Sequence, residues 1–213
     1  MTIWPSRLPL ASEGLLFIAP LAAATVVSLL LGWALAAGIG VVLTAAVACF
    51  FRDPERVVPQ APGAVVSPAD GRVHEIDMAE GHHRISIFLS VTDVHVNRAP
   101  YAGKVTEVIY KPGRFVAAYR AEASRENESN RVTIDSPDAV IAVKQIAGIL
   151  ARRIVCRARP GDRLERGQRY GLIRFGSRTD LFLPADADVV AQVGDRVRGG
   201  ETILARLKVS RET

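Results

Sequence analysis

Hydrophobic residues fall into two regimes along the chain. Between residues 14 and 51 no Asp, Glu, Lys or Arg interrupts an almost continuous apolar stretch. Beyond it, apolar and polar residues alternate in short runs rich in Val, Ile, Tyr and Phe, punctuated by Gly and Pro. The first regime predicts two helices rather than one, because a helix of about 18 residues already rises about 27 Å, close to the ~30 Å hydrocarbon core of a bilayer. Gly32, or the region 38–40, supplies the bend, and Trp33 suits a membrane interface. Arg7 precedes the block and Arg52 and Arg56 follow it, which places both ends of this hairpin on the cytoplasmic side of a cell membrane. Each half is short, so a re-entrant inserted hairpin fits as well as two full spans. The competing readings are a signal peptide, whose apolar core would be only about 7–15 residues, and a buried hairpin of a soluble protein.

The second regime predicts strands near 72–76, 84–90, 103–110, 131–134, 140–146 and 153–157. Asp53-Pro54 and the PQAPG run at 59–63 read as linker and turn, and 120–130 as a polar loop with room for one helical turn. The expected organisation is therefore an anchoring hairpin over 1–51 and a second domain over 52–213. Two internal echoes refine the fold. ADGRVHEI at 69–76 returns as YAGKVTEV at 101–108, and GDRLERG at 161–167 returns as GDRVRGG at 194–200. Paired units of this kind bury one shared core that a single unit could not. The fold class is mostly β, an antiparallel barrel-sandwich of lipoyl/biotinyl-like pseudo-repeats with minor helix, preceded by the N-terminal hydrophobic helical hairpin.

Charge and composition remove several functions. Arg7 and Glu13 cancel, so the formal net charge of +5 lies entirely beyond the hairpin. Its cations are mostly Arg, a residue suited to bidentate phosphate or carboxylate contacts, although a GC-rich coding sequence produces the same bias. No aromatic-interleaved basic stripe, zinc spacing or helix-turn-helix pattern supports nucleic-acid binding. Cys49 and Cys156 make neither a disulfide framework nor a metal motif, and His82-His83 has no completing ligands, so no metal is expected. No phosphate-binding glycine loop or nucleophile elbow is present.

Three patches could carry chemistry: SPADGR at 67–72, FLSVTDVHVNRAP at 88–100, and Gly176-Ser177 between two β-like runs. Each alone has a structural explanation, as an Asp-Gly turn, a core histidine and a Gly-Ser turn. Together with ENESNR at 126–131, QIAGILARRIV at 145–155 and RFGSRTD at 174–180, in this order and spacing, they resemble the phosphatidylserine decarboxylase family in its short, membrane-anchored form.

The resemblance implies a proenzyme that cuts itself between Gly176 and Ser177. The Ser177 hydroxyl would attack the Gly176 carbonyl, giving an ester and freeing the Ser177 amine. Elimination across the Ser177 Cα–Cβ bond would then release the β chain (1–176), and hydrolysis would leave a pyruvoyl group at the head of the α chain (177–213). That covalent cofactor would serve as the electron sink for converting phosphatidylserine to phosphatidylethanolamine and CO₂. By the same resemblance His95 is the candidate base, Asp70 its orienting carboxylate, and Arg98 and Asn127 candidate substrate-binding residues. Longer relatives carry a second histidine where Arg98 stands, so both histidine roles would fall on His95 or be shared with another group. Expected partners are the phospholipid in the membrane and the two associated chains, with a homodimer left open. A decarboxylase of a related serine-headgroup lipid would use the same residues. The competing class is a non-enzymatic membrane-anchored adaptor of the same fold. A lipoyl-type carrier is disfavoured because neither Gly-Asp-Arg unit has a Lys between its flanking glycines.

Overall fold

The computed structural model describes residues 9–116, 122–148, 153–174 and 177–209. Arg7 and Gly176 lie outside the described residues. The chain divides into two compact units, residues 4–55 and 56–213.

In the first unit a 3-10 turn at Ser12–Gly14 leads into α1 (Leu15–Leu30), and α2 (Ala34–Phe50) returns against it. The bend falls at Gly32, whose φ of 74° lies in the left-handed region that glycine enters without a steric penalty. Gly40 lets the helices close up, since a Cβ there would collide with the Thr25 side chain. Thr25, Ser28 and Thr44 each donate their hydroxyl to a carbonyl four residues back, which satisfies these hydroxyls within their own helix. The two ends are fastened: Ala11 N–H donates to Phe51 O and Asp53 N–H to Pro9 O, both at 2.8 Å. Those bonds draw residues 52 and 53 into the hairpin unit, so the division falls after Glu55 rather than after Phe51. Leu16, Leu30, Leu35 and Val42 leave large apolar side chains exposed. Helices apolar all round their circumference need an apolar environment. The segment Ser12–Leu30 is long and apolar enough to cross a membrane, whereas α2 is shorter.

The second unit contains β1 (Ala64–Val66), β2 (Gly71–Ala79), β3 (His82–Leu89), β4 (Val96–Arg98), β5 (Gly103–Lys111), the single turn α3 (Ala123–Glu126), β6 (Ser129–Asp135) and β7 (Val140–Ile146). It continues with β8 (Ile154–Cys156), β9 (Arg163–Leu164), β10 (Arg169–Ile173), β11 (Ser177–Pro184), β12 (Asp188–Val189), β13 (Arg196–Val197) and β14 (Ile203–Arg206). One antiparallel sheet, ordered β13-β2-β3-β11-β7-β6-β5-β9, curls into a half-barrel, and the three-stranded sheets β1-β14-β12 and β4-β10-β8 complete the layers. The mostly β, antiparallel class expected from the alternation is what forms. Ile85, Ile87, Val132, Val143, Leu181 and Leu183 lie in its fully buried core.

The sequence echoes are structural repeats. β2 and β3 slip register between Val73 and Glu75, and β5 and β6 slip between Val105 and Glu107, the same place in the two echoes. β13 pairs Arg196 with Arg72 and Val197 with Gly71, while β9 pairs Arg163 with Lys104 and Leu164 with Gly103. The Gly-Asp turns match in detail: Gly161 and Gly194 have φ of 96° and 98°, and each donates its N–H at 2.8 Å to the valine at the equivalent bulge. The halves meet in a reciprocal pair, Val66 N–H to Pro100 O and Arg98 N–H to Pro68 O, both 2.9 Å. Equivalent bonds in both halves define a pseudo-two-fold relation. It puts the SPAD turn of one half beside the strand that follows His95.

Candidate active site

Ser177 opens β11, a central strand paired with β3 on one side and β7 on the other. Side chains alternate across a strand, so Ser177, Thr179, Leu181 and Leu183 share the core face. Arg178 and Asp180 share the other face. Ser177 is fully buried, and its Oγ has no hydrogen-bond partner among the described residues. A buried hydroxyl without a partner costs roughly 1–3 kcal/mol, an expense a purely structural position would avoid with Ala or Val.

His95 is also fully buried and immediately precedes β4. Its Nδ1 lies 2.9 Å from the Asp93 carbonyl. A carbonyl only accepts, so Nδ1 carries the ring proton and Nε2 is the basic nitrogen of the neutral imidazole. The His95 carbonyl receives the Ile173 N–H at 3.2 Å. Ile173 ends β10, so the chain leaves His95's neighbourhood and reaches Ser177 within a short connection. Asn97, two residues beyond His95, reaches β11 itself, donating to Thr179 Oγ1 at 3.2 Å. His95 and Asn97 share a face of their segment, as Ser177 and Thr179 do of theirs. His95 and Ser177 are each fully buried, and each lies two residues from one end of the Asn97–Thr179 hydrogen bond.

Asp93 holds the turn that presents His95. Its carboxylate accepts the Ser90 N–H at 2.8 Å and the Ser90 hydroxyl at 2.7 Å, and pairs with Arg196 at 2.8 Å. Asp70 is held by partners other than His95. Its oxygens bind Arg56 Nη2 at 2.8 and 3.1 Å and the Gly199 N–H at 2.8 Å, and His95 Nδ1 is oriented by a backbone carbonyl instead. Burial raises the Asp70 carboxyl above its ordinary value, against the opposing pull of Arg56. Asp70 therefore braces the SPAD turn against Arg56 and the 198–200 turn.

Arg98 is buried, with Nη1 donating to Gly167 O at 3.2 Å. Asn127 is a bracket: its amide donates to Val116 O and Ala147 O and accepts from Val116 N–H, at 2.8, 2.7 and 2.9 Å. Both of its donors are spent on backbone. On the far face of β11, Arg178 and Asp180 form a fully buried pair at 2.6 Å, joined by Ser86 and Ser124. Sequence reading passed over Asn97, Gln145, Thr179 and this pair. Gln145 had left a signal, because it follows Ile141 and Val143 on the core face of β7, where the alternation calls for an apolar residue.

These features define a class: a β protein with an N-terminal apolar helical hairpin and, among the described residues, a buried serine without a hydrogen-bond partner at the head of a central strand. Comparison with known proteins identifies the family. Residues 43–205 match the model of the phosphatidylserine decarboxylase family. The chain is 45% identical over 206 residues to a phosphatidylserine decarboxylase proenzyme of Geotalea uraniireducens, covering 93% of this chain and 97% of the relative. It is 46% identical over 209 residues to one of Desulfotalea psychrophila, covering 94% and 98%. The chain belongs to the phosphatidylserine decarboxylase family.

Proposed function

We propose that this chain is a self-processing, pyruvoyl-dependent phosphatidylserine decarboxylase, cut between Gly176 and Ser177. The observation that carries the reading is the buried Ser177 hydroxyl with no partner among the described residues, set at the head of β11 in a chain of this family. Relatives named as proenzymes support self-cleavage. The residues present fit a pyruvoyl group at position 177: the strand behind it is locked on both sides, and the side chain it would replace makes no bond that must be broken. When formed, that group supplies an electron sink for loss of CO₂.

The remaining work falls to the chain. His95 Nε2 takes the Ser177 proton as the hydroxyl attacks the Gly176 carbonyl; the C–O bond forms, the Gly176–Ser177 C–N bond breaks, and the amine receives the proton. His95 then removes the Ser177 Cα proton for elimination. Asp93 holds the turn that aims His95, and Asp70 holds the adjacent SPAD turn. The burial of Ser177, His95 and Thr179 excludes bulk water from these steps. From residue 177 onward β11 pairs with β3 and β7, β13 with β2 and β14 with β1, which supports an α chain that stays associated after the cut. The hairpin brings the enzyme to a substrate held in the bilayer, with the catalytic unit on the cytoplasmic side.

Intact mass spectrometry of the purified protein tests the reading. Two chains are expected, the smaller beginning at residue 177 and blocked to Edman degradation, with a single uncut chain for Ser177→Ala. An uncut wild-type chain would overturn it.

A further inference from the structure

Four buried polar side chains cross the core and end two residues from Ser177. Asn130 Nδ2 donates to Gln145 Oε1 at 3.1 Å, Gln145 Nε2 to Asn97 Oδ1 at 2.9 Å, and Asn97 Nδ2 to Thr179 Oγ1 at 3.2 Å. Asn97, Gln145 and Thr179 are fully buried and Asn130 nearly so. Asn130, Gln145 and Thr179 also stand in register across β6, β7 and β11. Nothing in the packing demands amides here, since the neighbouring core positions Ile141, Val143 and Leu181 are aliphatic.

The direction of the chain is pinned by groups that only accept. Asn97 Nδ2 also faces the Pro68 carbonyl at 3.4 Å, and Gln145 Nε2 faces the Val155 carbonyl at 3.5 Å. Turning either amide over would set oxygen against oxygen, so every link donates toward β11. Thr179 Oγ1 must therefore accept, and its own proton is directed away from Asn97. Within the described residues no acceptor takes that proton, and the next side chain on the same face is Ser177. Room for the chain is built in: a Cβ at Gly171 would lie 2.8 Å from Gln145 Nε2.

We propose that Asn130, Gln145 and Asn97 form a one-directional hydrogen-bond chain that positions the Thr179 hydroxyl as a donor toward residue 177 and holds the Ser177 strand against the His95 strand. Aligned links polarise one another, which strengthens the terminal O–H as a donor. Asn130, Gln145 and Asn97 are positioning residues, acting through Thr179. Its donor assists self-cleavage, where charge develops on the oxygen of the attacked carbonyl.

The inference rests on Ser177 as the cleavage residue, and the experiment separates the two. Full-length wild type, Ser177→Ala, Gln145→Leu, Gln145→Glu, Thr179→Val and Thr179→Ser are synthesised cell-free into lipid nanodiscs and shifted to buffers of different pH. The uncut fraction is followed by intact mass, and folding is checked by thermal midpoint in a Ser177→Ala background. Gln145→Leu and Thr179→Val should cleave about tenfold or more slowly while still unfolding cooperatively in the Ser177→Ala background, Gln145→Leu at a lower midpoint because Asn130 and Asn97 lose their partner. Thr179→Ser should cleave near the wild-type rate. Gln145→Glu should cleave in acid, where a neutral carboxyl donates to Asn97 as the amide did, and should stall as pH rises and the donor is lost. A purely structural role would tie rate to midpoint and give no acid rescue. Folded Gln145→Leu and Thr179→Val cleaving at the wild-type rate would overturn the inference and leave Ser177 standing. Should Gln145→Leu not fold, Thr179→Val against Thr179→Ser decides. An uncut wild type takes down both readings.

Discussion

The Arg178–Asp180 pair permits a sharp stability experiment. Arg178 is 1% exposed and Asp180 is fully buried, and two guanidinium nitrogens reach the two carboxylate oxygens at 2.6 and 3.1 Å. In Arg178→Met the apolar stem is largely kept but the cation is lost. Asp180 then retains the Ser124 hydroxyl at 3.2 Å, with Lys144 opposite it in register. Breaking a buried pair by removing one partner costs about 3–5 kcal/mol, and the Lys144 cation opposite Asp180 favours the lower end of that range. For a chain of this size that corresponds to a fall in thermal midpoint of roughly 6–20 °C. Replacing both partners, Arg178→Met with Asp180→Leu, removes the stranded charge and should recover most of the loss. The assay is urea and thermal unfolding in detergent, in a Ser177→Ala background so that every variant is one uncut chain. A single-variant loss under about 1 kcal/mol, or a double variant no better than the single, would refute the charge-burial account.

Two further outcomes follow from the geometry. Asp70 has a folded pKa above the ordinary 3.8, so the folded state binds its proton more tightly than the unfolded chain. Its contribution should therefore weaken as pH rises from 3.8 through the raised value, and Asp70→Asn should flatten that slope in equilibrium unfolding at weakly acidic pH. In the hairpin, Val26→Arg or Val41→Arg places a charge on a half-exposed apolar surface. At about 2.5–3.5 kcal/mol per charge near a bilayer centre, each should lower liposome partitioning in a flotation assay by roughly a hundredfold.

The β class and the repeats were legible because period-2 alternation and Gly-Asp turns are local properties of sequence. The bulges at Val73 and Val105 fall on the same letter of the two echoes, so similarity in sequence reported similarity in backbone. Gly32 as the bend was legible for the same reason. Partner choice was not. Asp70 binds Arg56 and Gly199, and His95 Nδ1 turns to a backbone carbonyl; both choices depend on how distant turns dock, which no local pattern encodes. Asn127 was a candidate only through the family resemblance, and that its amide brackets Val116 and Ala147 is a tertiary fact that no local pattern shows. The amide chain escaped notice because its members lie on four strands. Only Gln145, breaking the apolar side of β7, marked it within a single strand.

The two-fold interleaving has a consequence for folding order. Each Gly-Asp-Arg turn pairs with a hairpin far away in sequence, and the one at 194–200 lies beyond residue 176. While the chain is whole, closing that pairing is an intramolecular event at the high effective concentration of a tethered segment. Once cut, the same strands would have to find each other by a second-order encounter. A cut after residue 176 would therefore make the assembly a kinetic product: the uncut chain should regain its fold after denaturation at any dilution, and a two-chain form should regain it only when concentrated.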